Sequence, residues 1–143
     1  MKLLLILATA LLLDGTAQAQ RLTVTQVPAA AKATFKAKFP AVKTAAWEKE
    51  GTAFEAGFEQ NGKRMSAVIT AAGELQETET DLAAAQLPAA VRATLARDYK
   101  SYQVKEAAII VKANGRTLYE AEVSKGGKSE DVLFTADGKV APQ

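Results

Sequence analysis

Phe54-Glu55-Ala56-Gly57-Phe58-Glu59-Gln60-Asn61-Gly62-Lys63 is followed by a glycine at position 73, and the chain then writes the same pattern again. Tyr119-Glu120-Ala121-Glu122-Val123-Ser124-Lys125-Gly126-Gly127-Lys128 is followed by Gly138, at the same spacings. Each copy alternates apolar and polar residues, breaks at a glycine and alternates again. That is the pattern of a hairpin plus the turn into a further strand, and its recurrence marks an internal repeat. Asn61-Gly62 is the dipeptide favoured in two-residue type I′ hairpin turns.

Outward from the hairpins, each copy predicts four strands. The first has 44–50, 53–60, 63–70 and 74–81; the second has 103–113, 117–124, 128–135 and a stub at 139–141. A helix precedes each set. Val27-Pro28 opens the first, with Pro28 suited to the first helical position, where its missing N–H is not needed. Val27, Ala31, Phe35 and Phe39 form one apolar stripe, with Lys32, Lys36 and Lys38 on other faces, and Phe39-Pro40 ends the helix. In the second copy Leu87-Pro88 opens, Val91, Leu95 and Tyr99 make the stripe, and Arg92 and Arg97 point away. The helices align at an offset of 60 and the hairpins at 65, which places a five-residue insertion in or around the second copy's first strand. Residues 20–26 read as a short polar lead. Residues 83–86 join the copies and are too short and apolar for a flexible linker. The expected fold is α+β: two helix-plus-four-strand units, 20–82 and 83–143, in one continuous antiparallel sheet with helices on one face. Together they are expected to make one structural domain.

Residues 1–19 read as a cleaved secretory signal. Lys2 supplies the positive start, residues 3–13 the apolar run, and Ala17-Gln18-Ala19 the small residues before a cut between Ala19 and Gln20. The apolar run is too short to span ~30 Å of hydrocarbon, and no later run is long enough for a transmembrane helix. The chain is therefore expected in the periplasm or beyond. It has no cysteine and no histidine. Disulfides, the usual zinc and copper ligands and the usual nucleophile–base pairs are thereby excluded, and no cofactor is expected.

Val27-Pro28, Phe39-Pro40, Trp47-Glu48, Phe54-Glu55-Ala56 and Asn61-Gly62, echoed by Leu87-Pro88 and Tyr119-Glu120-Ala121, resemble the secreted PepSY-like, beta-lactamase-inhibitor-like family of bacterial envelope proteins. The resemblance spans residues 20–143. It implies the tandem helix-plus-four-strand repeat and a periplasmic, binding or inhibitory protein. These are core and turn positions, so it carries no enzyme-contacting residue over to this chain.

Charge supplies the remaining signal. The net charge of +2 conceals five basic residues and no acids in 20–46, then eight acids against Lys49, Lys63 and Arg64 in 47–82. If Phe54, Ala56 and Phe58 face the helix, then Glu55 and Glu59 face away; Glu120 and Glu122 do the same in the second copy. A sheet covered on one face shows the other to water or to a partner. Glu48, Glu50, Glu55, Glu59, Glu120 and Glu122 are thus the candidate partner-binding residues, for a protein or peptide carrying a basic patch.

Blander readings compete. Glutamates at every second strand position usually form a solvated face, and acid/base hydrolysis needs two carboxyls held ~5–10 Å apart in a cleft. A lone strand tryptophan such as Trp47 is more often core than ligand anchor. The helix lysines lack the aromatic interleaving and arginine clusters of nucleic-acid surfaces. The expectation is a secreted, non-enzymatic binding module acting through the open sheet face. The alternative is a small-molecule or envelope-component binder using a crevice between the half-sheets.

Overall fold

The computed structural model describes residues 20–142. The signal reading and Ala19 lie outside the described residues, whereas Gln20 is inside them. Among the described residues, eight strands form one sheet in chain order, every neighbouring pair antiparallel. They are β1 (Arg21–Leu22), β2 (Ala46–Glu50), β3 (Ala53–Gln60), β4 (Lys63–Ile69), β5 (Leu75–Leu82), β6 (Gln103–Lys112), β7 (Thr117–Lys125) and β8 (Lys128–Phe134). Helix α1 (Ala29–Lys38) bridges β1 and β2, and α2 (Ala89–Asp98) bridges β5 and β6. The α+β tandem repeat in one antiparallel sheet is therefore present as the alternation requires.

Residues 20–26 are more than a polar lead. Arg21 and Leu22 pair with Glu48 and Trp47, and a single 3-10 turn over Val24–Gln26 delivers the chain to α1. A two-residue strand has too few positions to show a period, which is why it escapes a reading by alternation. The join at 83–86 has the same form. Gln26 Oε1 accepts the Thr23 amide, and Gln86 Oε1 accepts the Ala83 amide. Pro28 and Pro88 sit one residue before their helices, and each carbonyl accepts the first intrahelical hydrogen bond.

The register shows how the copies are spliced. Leu22 lies opposite Trp47 just as Leu82 lies opposite Ala107, so the end of β5 repeats β1 at the helix offset. Leu75 lies opposite Ile69 just as Val140 bridges Phe134, so the start of β5 repeats the C-terminal stub at the hairpin offset. β5 is both the last strand of one copy and the first strand of the next. One sheet edge carries only the two-residue β1, which offers little template for aggregation, while β8 lies at the other edge, bridged by Val140 at Phe134.

Each helix covers its own half. Phe35 of α1 and Phe39, which caps its C-terminus, pack with Trp47 and Phe58, ring centroids 4.6–5.4 Å apart, around Ala56, Ala67 and Ile69. Trp47 is core, 5% exposed. Under α2, Val91 and Leu95 pack on Ala107, Ala121, Val123, Val132 and Phe134. The two clusters are separate; the sheet, through β5, is what they share.

A repeated glycine locks each helix to its sheet. Gly73 and Gly138 adopt φ of +90° and +81°, and their carbonyls accept hydrogen bonds from Thr34 Oγ1 (2.6 Å) and Thr94 Oγ1 (2.7 Å). A Cβ at Gly73 would stand 3.0 Å from the Ala30 carbonyl oxygen, and one at Gly138 only 2.4 Å from that of Ala90. At a φ that favours glycine, a side chain would be strained and crowded at Gly73 and would collide with the helix backbone at Gly138.

Candidate functional site: the open face of the sheet

Strand alternation sends every second side chain of β2–β8 to the face without helices. Antiparallel register then lines these residues into rows. One row runs Arg21, Glu48, Glu55, Val68, Glu77, Lys112 across β1–β6. The next runs Ala46, Gly57, Ser66, Glu79, Ile110, Leu118 from β2 to β7. Beyond them Glu59 lies opposite Arg64, and Arg64 bonds Asp81 at 2.6 Å. In the second half Glu106, Glu122 and Asp131 stand side by side on β6, β7 and β8.

All six glutamates singled out by alternation reach this face, but they are not the wet surface that the pattern suggested. Glu48 and Glu120 are each only 5% exposed. Glu50, Glu55 and Glu122 are half-buried, and of the six Glu59 alone is exposed. The physical reason is position. Glu48 and Glu120 sit on strands with neighbours on both sides, whose side chains screen them from water.

Sequence reasoning did not single out Glu77, Glu79 and Asp81 on β5, or Glu106 and Asp131. Glu77 and Glu79 are buried, 7% and 8% exposed. The signal was available, since 77, 79 and 81 are acidic at every second position between apolar ends. Arg21 and Lys112 supply cations to this acidic face. Lys112 Nζ bonds Glu77 Oε2, while Arg21 Nε stands 3.6 Å from Glu48 Oε1 and remains mostly in solvent. Lys112 comes with the five-residue insertion. The second copy's hairpin exceeds the first beyond the layer of Trp47–Ala56 and Ala107–Ala121, lengthening β6 and β7 and opening the turn.

Crowding acids under poor hydration moves their protonation. Burial, reinforced by Glu55 and Glu77, pushes Glu50 up to about 7. Burial, with Glu55 and Asp81 adding to it, pushes Glu79 up to about 8. Burial, and then the charges of Glu79 and Asp131, pushes Glu120 up to about 9. Glu55 is raised by burial against the opposing hydrogen bond of the Ser66 hydroxyl. Asp131 is raised by burial and by Glu122 and Glu106. Near neutral pH the centre of the face thus holds protons.

A groove of about 540 Å³ crosses this face, floored by Ala46, Gly57 and Ser66 and walled by Glu48, Glu55 and Glu79. Six acids and one base, Arg64, line it. Opposite, over β6–β8, Ile110, Leu118 and Leu133 make a small apolar cluster that the tail covers with Ala141. Among the described residues no cluster of acids has metal-holding geometry, and no helix is long and apolar enough to cross a membrane.

Comparison with known proteins agrees with this architecture. None of the curated proteins compared with the chain matches it. A crystal structure of a protein described as "putative periplasmic" from Bacteroides eggerthii DSM 20697 is similar at TM-score 0.74 and 22% identity, over 81% of this chain and 86% of that one. A DUF2874 family protein from Bacteroides uniformis ATCC 8492 is similar at TM-score 0.73 and 21% identity, over 80% and 86%. A BLIP-like protein from Bacteroides fragilis NCTC 9343 gives TM-score 0.67 and 24% identity, over 80% and 84%. The family model described as "Putative beta-lactamase-inhibitor-like, PepSY-like" matches twice, at residues 15–77 and 67–141, the two matches overlapping where β4 leads into β5. The chain belongs to the PepSY-like, beta-lactamase-inhibitor-like family, as two fused copies of its domain.

Proposed function

We propose that this protein is a periplasmic, non-enzymatic binding module that docks a protein or peptide partner carrying a basic patch on its open sheet face. One observation carries the reading: carboxylates from β2, β3, β5, β6, β7 and β8 converge on the face that no helix covers, and several are too poorly hydrated to hold their charge alone. Such an arrangement costs stability, because like charges on neighbouring strands repel. A cationic partner would relieve that repulsion and would be steered by the same field. The family's inhibitor-like description and the periplasmic description of the B. eggerthii relative support the class and the compartment. The face is broad, which suits protein docking better than acid/base catalysis.

The immobilised protein is expected to capture an envelope protein, identified by mass spectrometry, whose association slows as salt shortens the Debye length from about 10 Å at 0.1 M toward 3 Å at 1 M. Reversing Glu59 and Glu122 to lysine should weaken that capture without lowering the melting temperature. Capture indifferent both to salt and to the reversal overturns the reading. The groove supports a second reading, a small envelope component as ligand, since its volume lies within the range of small-molecule sites, about 300–1,000 Å³. A ligand retained through purification and displaced without any protein partner would favour it.

A further inference from the structure

The groove over Ala46, Gly57 and Ser66 holds a feature that a general acidic face does not explain. Among the described residues, Glu48 Oε2 is the buried side-chain polar atom without a hydrogen-bond partner. Its other oxygen is approached only from outside by Arg21, at 3.6 Å. A buried carboxylate oxygen with no donor is costly, and native proteins rarely leave one so. Glu48 lines the groove, directly opposite Glu55 on the next strand, with Glu79 at the far end of the small-residue floor.

We propose that this groove is a subsite for one arginine side chain of a partner, its guanidinium lying over Gly57 and donating to Glu55 and, once the Glu48 carboxylate turns toward the groove, to Glu48. The inference rests on the docking reading above and narrows it to one residue type. Neighbouring strands lie about 4.8 Å apart, so the carboxylates of Glu48 and Glu55 present acceptors at a spacing that a planar fork of donors spans. A lysine ammonium is a compact, strongly hydrated point charge and gives up more hydration for fewer contacts. In the groove Arg64 is already engaged by Asp81 at 2.6 Å, and outside it Lys112 is engaged by Glu77. At the Glu48 end an outside cation competes only with the largely solvent-exposed Arg21, 3.6 Å from Glu48 Oε1, and with the Ser66 hydroxyl on Glu55. Gly57 keeps the floor low: a Cβ there would meet nothing nearer than the Ala46 carbonyl oxygen at 3.8 Å, so a larger residue fits the strand but fills the groove.

The test uses the full chain after export, labelled with 15N and titrated with the amides of acetyl-arginine, acetyl-lysine and acetyl-citrulline at millimolar concentrations. The arginine probe should give saturable shifts at the amides of Gly57 and Ser66. The lysine probe should bind several-fold more weakly, and the uncharged citrulline probe should leave those amides unmoved. Glu48→Gln should weaken the arginine probe about tenfold, as loss of a charged hydrogen bond does. Gly57→Val should abolish binding while keeping the melting transition, which guards against a Glu48 variant that fails to fold. Glu130→Gln, exposed on β8 and outside the groove, should change nothing. No shift with arginine, an equal response to lysine or citrulline, or binding that survives both groove variants overturns the subsite. If the arginine probe fails while charge reversal at Glu59 and Glu122 still abolishes partner capture, the subsite falls and the docking reading stands. If the probe binds but capture ignores salt and reversal, the docking reading falls instead.

Discussion

The two halves of the sheet share a backbone plan and differ in what they place on it. On the helix face the first half is aromatic, with Phe35, Phe39, Trp47 and Phe58 in mutual contact. At the equivalent positions the second half has Leu95, Tyr99, Ala107 and Val123, and Tyr102 from the α2–β6 loop joins Tyr99 at 5.6 Å. On the open face the small row Ala46–Gly57–Ser66 of the first half is replaced by Glu106–Glu122–Asp131 in the second. Glu48 gives way to Ala108, and Val68 to Leu133, which the tail covers. What persists is the geometry: the hairpin glycines, the threonine tether and the strand splice. Core volume and face chemistry have moved apart under that fixed frame. The first half keeps an open, acid-walled groove; the second keeps an acid row beside a closed apolar patch.

The sharpest way to break the comparison is to separate the halves. The shared β5 implies that residues 83–142 alone lack a strand, leaving β6 as a naked edge and Leu82 missing from the core. That segment should show no cooperative thermal transition, whereas residues 74–142, which restore β5, should melt cooperatively. Equal behaviour of the two segments would show that β5 is not part of the second unit.

Next in size is the repeated glycine. Gly138→Ala should cost about 2–4 kcal/mol and Gly73→Ala about 1–2 kcal/mol in chemical denaturation, because both have positive φ but only at Gly138 would the new Cβ stand 2.4 Å from a helix carbonyl oxygen. A reversed order would mean that the second helix yields more easily than its packing suggests.

The ion pairs come third. Lys112→Met leaves Glu77 buried without its cation and should destabilise by about 2 kcal/mol. Arg21→Gln, at the exposed edge, should stay within about 0.5 kcal/mol. Similar values for the two would remove the distinction between a buried junction and an open rim.

The last prediction concerns pH. Burial and neighbouring acids hold Glu50, Glu79 and Glu120 at about 7, 8 and 9 in the fold, against an ordinary glutamate value of 4.5. The folded chain therefore keeps protons that the unfolded chain has already shed above pH 4.5. Stability from these groups is complete below that pH and falls as pH rises through 7, 8 and 9. The melting temperature should accordingly rise on going from pH 9 to pH 5. At pH 8 and above, Glu120→Gln should raise stability by about 1–2 kcal/mol and flatten the profile more than Glu50→Gln does. A melting temperature that climbs toward pH 9 would contradict the crowding of acids on this face.

Most of the fold was legible because its signals are local. Asn61 and Gly62 adopt the positive φ that an Asn-Gly hairpin turn requires, 54° and 72°. The stripe Val27, Ala31, Phe35, Phe39 is buried as its four-residue spacing demands. Alternation also placed Glu55, Glu59, Glu120 and Glu122 on the correct face, since side-chain direction along a strand depends only on parity. Hydration does not depend on parity. Whether Glu48 is wet or buried is decided by Glu55 across the hairpin and by Arg21 on β1, which the chain brings in from the far side of α1.

By itself, then, the sequence determined the two helices, the hairpins, the repeat and the side of the sheet on which each carboxylate stands. Period, turn chemistry and composition act over a few residues and need no partner. The tertiary structure alone decided that β5 serves both copies and that a two-residue strand closes one edge. It also decided that a ring of acids is dehydrated around a floor of Ala46, Gly57 and Ser66. Those outcomes arise from which strands become neighbours, and burial and charge coupling exist only once residues far apart in the chain stand side by side.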